Sequence, residues 1–528
     1  MILRDVAEGA VLVEYPEASE EEANQRAVAV ARSLTTRAPA GFFDAVPGAR
    51  SLLVLFDPGK LARRRLAQEI RSGAGEGRGA MDVQRALEIP VLYDAEPGTG
   101  PDLEELSRGA GLTREEFAGR HAQARYRVAF LGFAPGFPYM TGLPEELHAP
   151  RLATPRTRVP AGSVGIGGTY TGIYPEETPG GWRLIGRAPV RLFNAGRNPP
   201  ALLLPGDSVR FQPIGREEFE RRRLVLERAD PAEGPGASAL SLFRVTAPGV
   251  FTSVQGGPRR GWAVYGAPPG GAMDLEALAG GNAAVGNPPS APALEMTLVG
   301  PELEVLAEAS VALSGTWLEP EVNGRPVAAG ALRRVRIGDR LRLGPLGGGM
   351  RAYLCVAGGL ARTGQPHSSR RLVSGELVFA APPRAQSMGT AVPALRPAQA
   401  GKEVVIRVLP GPQRDYFENE GLAAFLDNRF RVSAASDRRG VRLEGPAIAA
   451  RRSPDIPPEG TALGGIQVPG DGQPIILGPD RPITGGYAKI ATVIEADFPL
   501  VAQALPGTLL RFAEVTLADA LAARVRIT

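Results

Sequence analysis

Lysine is scarce in this chain: only Lys60, Lys402 and Lys489 occur among 60 basic residues, and the rest are arginine. A basic position with no special demand would carry Arg here. Lys489, just past Gly485-Gly486-Tyr487, therefore marks chemistry that wants a compact ammonium, able to bind one oxygen or shift its pKa, or else it is an ordinary surface lysine. It lies in GGIQVPGDGQPIILGPDRPITGGYAKIATVI (464–494), where polar Gln467, Asp471, Gln473, Asp480 and Thr484 alternate with turns before a strand. A second dense region is SDRRGVRLEGP (436–446), whose Asp437 and Arg438 could orient each other or a bound carboxylate, or form a surface ion pair. The third is GFAPGFPYM (132–140) with the run 150–190 after it. Gly and Pro there fix backbone amides that can point at an anion, and Arg151, Arg156 and Arg158 add planar donors; the alternative is a barrel with tight corners and solvated arginines.

Other chemistries are excluded by residue type. No Gly-x-x-x-x-Gly-Lys-Ser/Thr surrounds any lysine, and no HExxH occurs. Gly165-Ile166-Gly167-Gly168 lacks the third spaced glycine of a dinucleotide fingerprint. Ser163, in AGSVG, is one glycine short of a nucleophile elbow and reads as a turn serine. Three histidines (His121, His148, His367) and the single Cys355 exclude a His-rich or multi-Cys metal centre, so no metal site is expected. His121, one turn past Phe117, reads as a packing residue and Cys355 as a small core hydrophobe. A chain that handles phosphate or an acyl group without these motifs must use backbone amides and arginine.

Several elements have to position these groups. With 528 residues the chain is long enough for three or four domains, and 67 Gly plus 50 Pro beside 43% apolar content call for many short strands joined by tight turns. The formal charge of +4 is spread without a like-charge block, which argues against nucleic acid; no long apolar run or basic-then-apolar start argues for a membrane or secretion, so a soluble cytoplasmic protein is expected. Residues 1–95 read as a small α+β domain: strands AVLVEY (10–15), SLLVLF (51–56) and IPVLY (89–93), a helix opened by the Ser19/Glu22 capping box, and another after Asp57-Pro58. Thr113 and Glu116 cap a further helix. Residues 96–228 then read as a β-barrel, 229–241 as a linker, 242–390 as a β-rich sub-domain with an Asn323-Gly324 hairpin, and 391–528 as a second barrel. GDSVRF (206–211), GDRLRL (338–343) and GTLLRF (507–512) hint at related barrels.

The same dense regions carry a family likeness. GFxPGFxY, VPxGSVxI, IYP, PGGW and PGDxVRFxPI resemble allophanate hydrolase subunit 1, the family of the B-type subunit of 5-oxoprolinase and of sporulation kinase-inhibitor proteins. PGxFTSVQ (248–255), GAMD (271–274), Leu294-Glu295, AYLCVAGG (352–359), GPQRDYF, SDRRGVRLEG, GxIQVPxDGQPIIL and TGGY resemble allophanate hydrolase subunit 2, or the C-type subunit of 5-oxoprolinase.

The resemblance implies cyclophilin-like β-barrels in both halves and a fusion of two proteins usually encoded apart. It implies an ATP-dependent lactam hydrolase component that opens 5-oxo-L-proline to L-glutamate with ATP and Mg, inactive without a separate A-type subunit. Alternatives are a regulator that binds a histidine kinase, or a carboxyltransferase-like module related to urea carboxylase; no Ala-Met-Lys-Met site for covalent biotin is present. Candidate catalytic residues are Asp437, Arg438, Gln467 and Lys489. Substrate or nucleotide binding is expected from Phe133, Pro135, Gly136, Phe137, Tyr139, Arg156, Ser163, Tyr174, Gly180, Gly181 and Trp182 in the first half, and from Arg259, Arg442, Asp471, Thr484, Gly485, Gly486 and Tyr487 in the second. Two departures stand out: the family's Gln-Asp-x-Gly-Arg is Gln255-Gly256-Gly257-Pro258-Arg259 here, and HSSRRLVSGELVF (367–379) reads as a shortened loop in place of Gly-Ser-Arg-Ser-Thr.

Overall fold

The computed structural model describes residues 1–76, 85–96, 98–228, 240–329, 333–362, 369–381, 395–396 and 403–525. The linker expected at 229–241 falls almost wholly outside these residues, as do Lys402 and His367. Near the N-terminus a four-stranded sheet packs against helices Glu20–Arg37 and Arg63–Glu76. The first helix forms where the capping box sets it: Ser19 Oγ accepts from Glu22 N at 3.3 Å, Ser19 N donates back to Glu22 at 3.3 Å, and Ala23, Ala27, Val30, Ala31 and Leu34 bury one face.

Two barrels of seven strands follow, and they run the same circuit. In the N-terminal one the order is Arg183–Arg187, Ser163–Gly167, Tyr170–Ile173, Pro138–Thr141, Tyr126–Leu131, Ser208–Pro213, Ala86–Val91, and a Leu92–Arg187 bridge brings the outer edges together. In the C-terminal one Lys489–Val493, Gly465–Gln467, Ile475–Leu477, Gly440–Glu444, Phe430–Val432, Leu509–Glu514 and Glu403–Pro410 close completely. Each barrel has one parallel pair, first strand against last, and each carries a two-stranded flap: Arg156–Val159 with Thr178–Gly180, and Asp455–Gly460 with Thr484–Tyr487. Two of the three GDxVRF-like segments, 208–213 and 509–514, are the matching last strands. The third, Arg340–Arg342, sits instead in an antiparallel sheet between the barrels in sequence.

IPVLY belongs elsewhere than expected. Its strand, Ala86–Val91, pairs in parallel with Ser208–Pro213 and so is the first strand of the barrel rather than part of the α+β sheet. Between Ser241 and Phe379 two further sheets form a sandwich over a Leu/Val core. Its Asn323-Gly324 turn has φ of +54° and +74°, which a two-residue hairpin needs and Asn-Gly tolerates. The fold is mainly β. No helix among the described residues is long and apolar enough to cross a membrane.

His121 and Cys355 are core residues. The imidazole is fully buried, bonded to Tyr93 Oη at 2.7 Å and Thr171 Oγ1 at 3.0 Å, and burial lowers its pKa to about 3. Burial pushes the thiol up to about 12.

Candidate functional site

The sandwich and the C-terminal barrel share a buried ionic network. Glu295, in the strand Ala293–Thr297, accepts from Met273 N and Tyr353 Oη, each at 2.8 Å, and from Arg438. Arg438 also donates to Asp480 Oδ2 at 2.8 Å and to Gly271 O at 2.6 Å. Burial opposes its charge, but Glu295 and Asp480 outweigh burial and raise its pKa. Arg351 lies 3.8 Å from Glu295, and Gln503 donates to Asp274 at 2.9 Å. Charges so enclosed need hydrogen-bond partners, and Glu295 has three, while Arg351 Nε is a buried donor without one.

Arg259 lies at the edge of this network. Burial, then Arg362, lowers its pKa to about 10, and its Nε is a buried donor without a partner. Arg362 donates to Gly257 O at 2.9 Å. A Cβ on Gly256 would stand 2.9 Å from Ser290 O, a backbone atom, and 2.7 Å from Arg362 Nη2, the movable end of a side chain, so the backbone contact is what leaves little room for the family's acid. The two arginines form a cationic corner, close enough for Arg362 to act on Arg259. Gln255 Nε2 reaches Ser369 Oγ at 2.9 Å, which ties the shortened segment to this corner.

A second cluster surrounds Lys489. Its Nζ is 2.6 Å from Glu459 Oε1, which also accepts from Gln413 Nε2 at 2.8 Å. All three are buried beside a cavity of about 10 Å³, space for roughly one water. Lys489 pairs across the strands with Gln467, whose Nε2 is buried without a partner, as is Thr484 Oγ1.

Thr484 meets the N-terminal barrel's aromatic loop, whereas Lys489 and Glu459 line their cavity with Val6, Leu12 and Leu53 of the first sheet. Phe137 packs edge-on to Tyr174 at 5.1 Å and Trp182 at 5.2 Å between ring centres, and Tyr139 lies 5.4 Å from Trp182. Phe133, at φ +65° and 37% exposed, is the cluster's open edge. Gly180 is required because a Cβ would stand 2.4 Å from Tyr174 Oη. The halves touch closely here: a Cβ on Gly132 would lie 1.7 Å from Thr484 Oγ1, Gly136 N donates to Tyr265 O at 2.8 Å, and Ala49 N donates to Pro458 O at 2.7 Å. Asp44 accepts from Gly261 N at 2.7 Å and Val264 N at 3.3 Å across the same seam, with burial raising its pKa to about 6. Glu176 stays at the surface, yet surrounding protein pushes its carboxyl up, with Arg439 of the other half opposing.

Residues 1–203 match the family described as carboxyltransferase domain, subdomain C and D, and residues 265–514 match subdomain A and B. The 5-oxoprolinase B subunit of Bacillus subtilis (strain 168) is 36% identical over 228 residues, covering 41% of this chain and 94% of that protein. The 5-oxoprolinase C subunit of Escherichia coli (strain K12) is 33% identical over 300 residues, 54% of this chain and 94% of that protein. The chain belongs to the carboxyltransferase-domain family of the B- and C-type 5-oxoprolinase subunits. A crystal structure of TTHA0988 in space group P212121 superposes with a TM-score of 0.80 at 34% identity, covering 97% of this chain and 100% of that one. Urea amidolyase of Lachancea kluyveri is 32% identical over 310 residues, 52% of this chain and 17% of that protein.

Within this family frame the expected residues divide. Arg438, Arg259, Gln467, Lys489, Thr484, Gly485, Phe133, Pro135, Gly136, Phe137, Tyr139, Tyr174, Gly180, Gly181 and Trp182 lie in the clusters and facing loops described above, with exposed Tyr487 and Gly486 on the same flap. Asp437 does not orient Arg438. Its Oδ1 accepts from the amides of Arg439 (2.8 Å) and Gly440 (3.0 Å), so it shapes its own turn while Asp480 and Glu295 hold the guanidinium. Nor is Arg438 in a surface pair, since it is 5% exposed. Arg156 is committed to Asp102 at 2.7 Å. Ser163 begins a strand rather than sitting in a turn, with its Oγ buried and unpartnered. Arg442 is exposed on its strand, and Asp471 is exposed and caps Gln473 N at 3.0 Å.

Sequence reasoning gave no site role to Glu295, Asp274, Tyr353, Asp480, Glu459 and Gln413, although Asp480 was noted among the polar residues of 464–494 and Glu295 within a family motif. A usable signal existed for Glu295: it is a lone carboxylate in ALEMT, a strand buried along its whole length.

Proposed function

We propose that this chain joins the B and C components of a 5-oxoprolinase and, with a separate A-type subunit, opens 5-oxo-L-proline to L-glutamate at the expense of ATP. The observation that carries this reading is that one polypeptide spans 94% of a B-type subunit and 94% of a C-type subunit, with the candidate loops of each half set against the other. Amide resonance makes the lactam a poor electrophile, so coupling its opening to ATP is chemically reasonable.

The cationic corner of Arg259 and Arg362 would hold the substrate carboxylate, the aromatic loop around Phe133 would cover the ring, and Lys489 with Gln467 would present donors to a developing oxygen charge. Among the described residues no group of three or more His, Cys, Asp or Glu could hold a metal ion. Mg–ATP needs only one or two protein carboxylates beside its phosphates, so this does not assign the nucleotide to either half, and ATP handling is assigned to the complex as a whole. The test mixes purified chain with its A-type partner, ATP, Mg and 5-oxoproline and measures glutamate. No release, beside a competent control enzyme, overturns the reading.

A carboxyltransferase-like module is the second reading, supported by the description of the matched family and the similarity to urea amidolyase. It would require biotin on a separate carrier. Carboxyl transfer from a biotinylated carrier, with the A-type partner left out, would favour it.

A further inference from the structure

A cleft of about 300 Å³ lies between the first turns of helix Glu20–Arg37 and the open end of the hairpin made by strands Tyr126–Leu131 and Pro138–Thr141, with Ala49 of the seam in its wall. The turn at the opposite end of that hairpin also reaches the seam. Two guanidiniums line the cleft, Arg125 and Arg127, and neither makes an ion pair with any described residue. Arg125 is exposed. Arg127 is fixed in place: its Nη1 donates to Asn24 Oδ1 at 2.5 Å, while Asn24 Nδ2 donates to Gly48 O at 2.8 Å and Ala129 O at 3.0 Å, which settles the amide's orientation. Burial lowers the pKa of Arg127, with Glu21 opposing, so its charge is incompletely compensated by the protein. Gly142, at φ +98°, lets the hairpin end close; a Cβ there would stand 2.4 Å from Arg125 O. Tyr170 Oη donates to Glu20 at 2.5 Å and Gln25 Nε2 donates to Glu21 Oε1 at 3.1 Å, so each of the two lining carboxylates has one side-chain donor, and Glu21 is the exposed one.

The opening thus carries two guanidiniums without ion pairs and an exposed carboxylate, Glu21, close enough to act on Arg127. We propose that it binds a small carboxylate bearing an N–H on the adjacent carbon, with the carboxylate on Arg125 and Arg127 and the nitrogen toward Glu21. α-Amino acids and their cyclic amides share this chemistry. Naming L-glutamate or 5-oxo-L-proline as the occupant rests on the function proposed above, whereas the charge layout does not.

The test is calorimetric titration of the full chain, with neither its A-type partner nor ATP present, using L-glutamate, 5-oxo-L-proline and succinate in turn. Because no turnover is read, its failure is separable from failure of the 5-oxoprolinase reading. In an Arg259→Gln background, which removes the corner proposed above to hold the substrate carboxylate, one of the two nitrogen-bearing probes is expected to bind, and adding either Arg125→Gln or Arg127→Gln is expected to weaken it at least about tenfold. Arg125 is exposed, so its variant tests the site even if Arg127→Gln fails to fold. No binding of any probe in that background up to about 10 mM, or binding there that Arg125→Gln leaves unchanged, overturns the site. Succinate binding as tightly as the nitrogen-bearing probes overturns the role of Glu21.

Discussion

In the N-terminal barrel the loop entering strand Pro138–Thr141 carries Phe133 and Phe137, and the flap strand Thr178–Gly180 leads into Trp182. In the C-terminal barrel the corresponding loop, entering Gly440–Glu444, carries Arg438, and the corresponding flap leads into Lys489. The circuit is the same while the side chains differ in kind: one mouth is an edge-to-face aromatic cluster, the other a set of buried ion pairs. A barrel closed by backbone hydrogen bonds leaves its loop residues free of any duty to the circuit, so each mouth can take its own chemistry. An aromatic mouth can cover a ring and exclude water, whereas an ionic mouth can hold and move charge.

The largest test of this contrast removes one group from each mouth. Glu295→Ala removes a carboxylate that accepts from buried Arg438 and lies 3.8 Å from buried Arg351, and is expected to cost about 3–5 kcal/mol in urea unfolding. Trp182→Ala is expected to cost a similar 3–5 kcal/mol, through a cavity. A second substitution separates the causes. Pairing Glu295→Leu with Arg438→Met should recover much of the first loss because both charges leave together; an additive double mutant would count against an ionic mouth.

Next in size is Gly256→Asp, which restores the family's acid. Its Cβ meets Ser290 O, and a loss of about 1–3 kcal/mol is expected that Arg362→Ala does not relieve, because the crowding atom is backbone. A neutral single variant would mean that Gly256 is not dictated by Ser290.

Lys489→Arg puts a wider, forked cation where Glu459, Gln413 and a cavity of about 10 Å³ leave little room. Turnover is expected to fall at least about tenfold, roughly 1.4 kcal/mol, with the protein still folded. Unchanged turnover, measured beside the parent, would remove Lys489 from the site. The smallest effect belongs to Phe133→Ala: with its ring 37% exposed, stability should change by less than about 1 kcal/mol while KM rises about threefold to tenfold. A change in kcat alone would mean that Phe133 does more than cover the ring.

Much of the fold was legible because it is written locally. Both capping boxes, at Ser19 and Thr113, form as their spacing predicts, and the Asn-Gly hairpin takes its required φ values. IPVLY was misplaced because a strand's pattern shows that it is buried but not which sheet accepts it, and its partner lies more than a hundred residues on. The site follows the same rule. The rarity of lysine pointed to Lys489, but its partner Glu459 is named only by tertiary contact. Asp437 drew attention as the sequence neighbour of Arg438, yet a side chain beside its own turn bonds most easily to that turn's amides. The carboxylates that hold Arg438 lie 42 and 143 positions away.

The contact of Gly132 with Thr484 bears on assembly. Where the two halves are separate polypeptides, such a seam forms only when they meet, and dilution works against it. Joined in one chain, they face each other at an effective concentration that linked modules commonly place in the millimolar range. Their ratio is fixed at one to one by translation, and a cell making little of this protein loses none of it to unpaired halves.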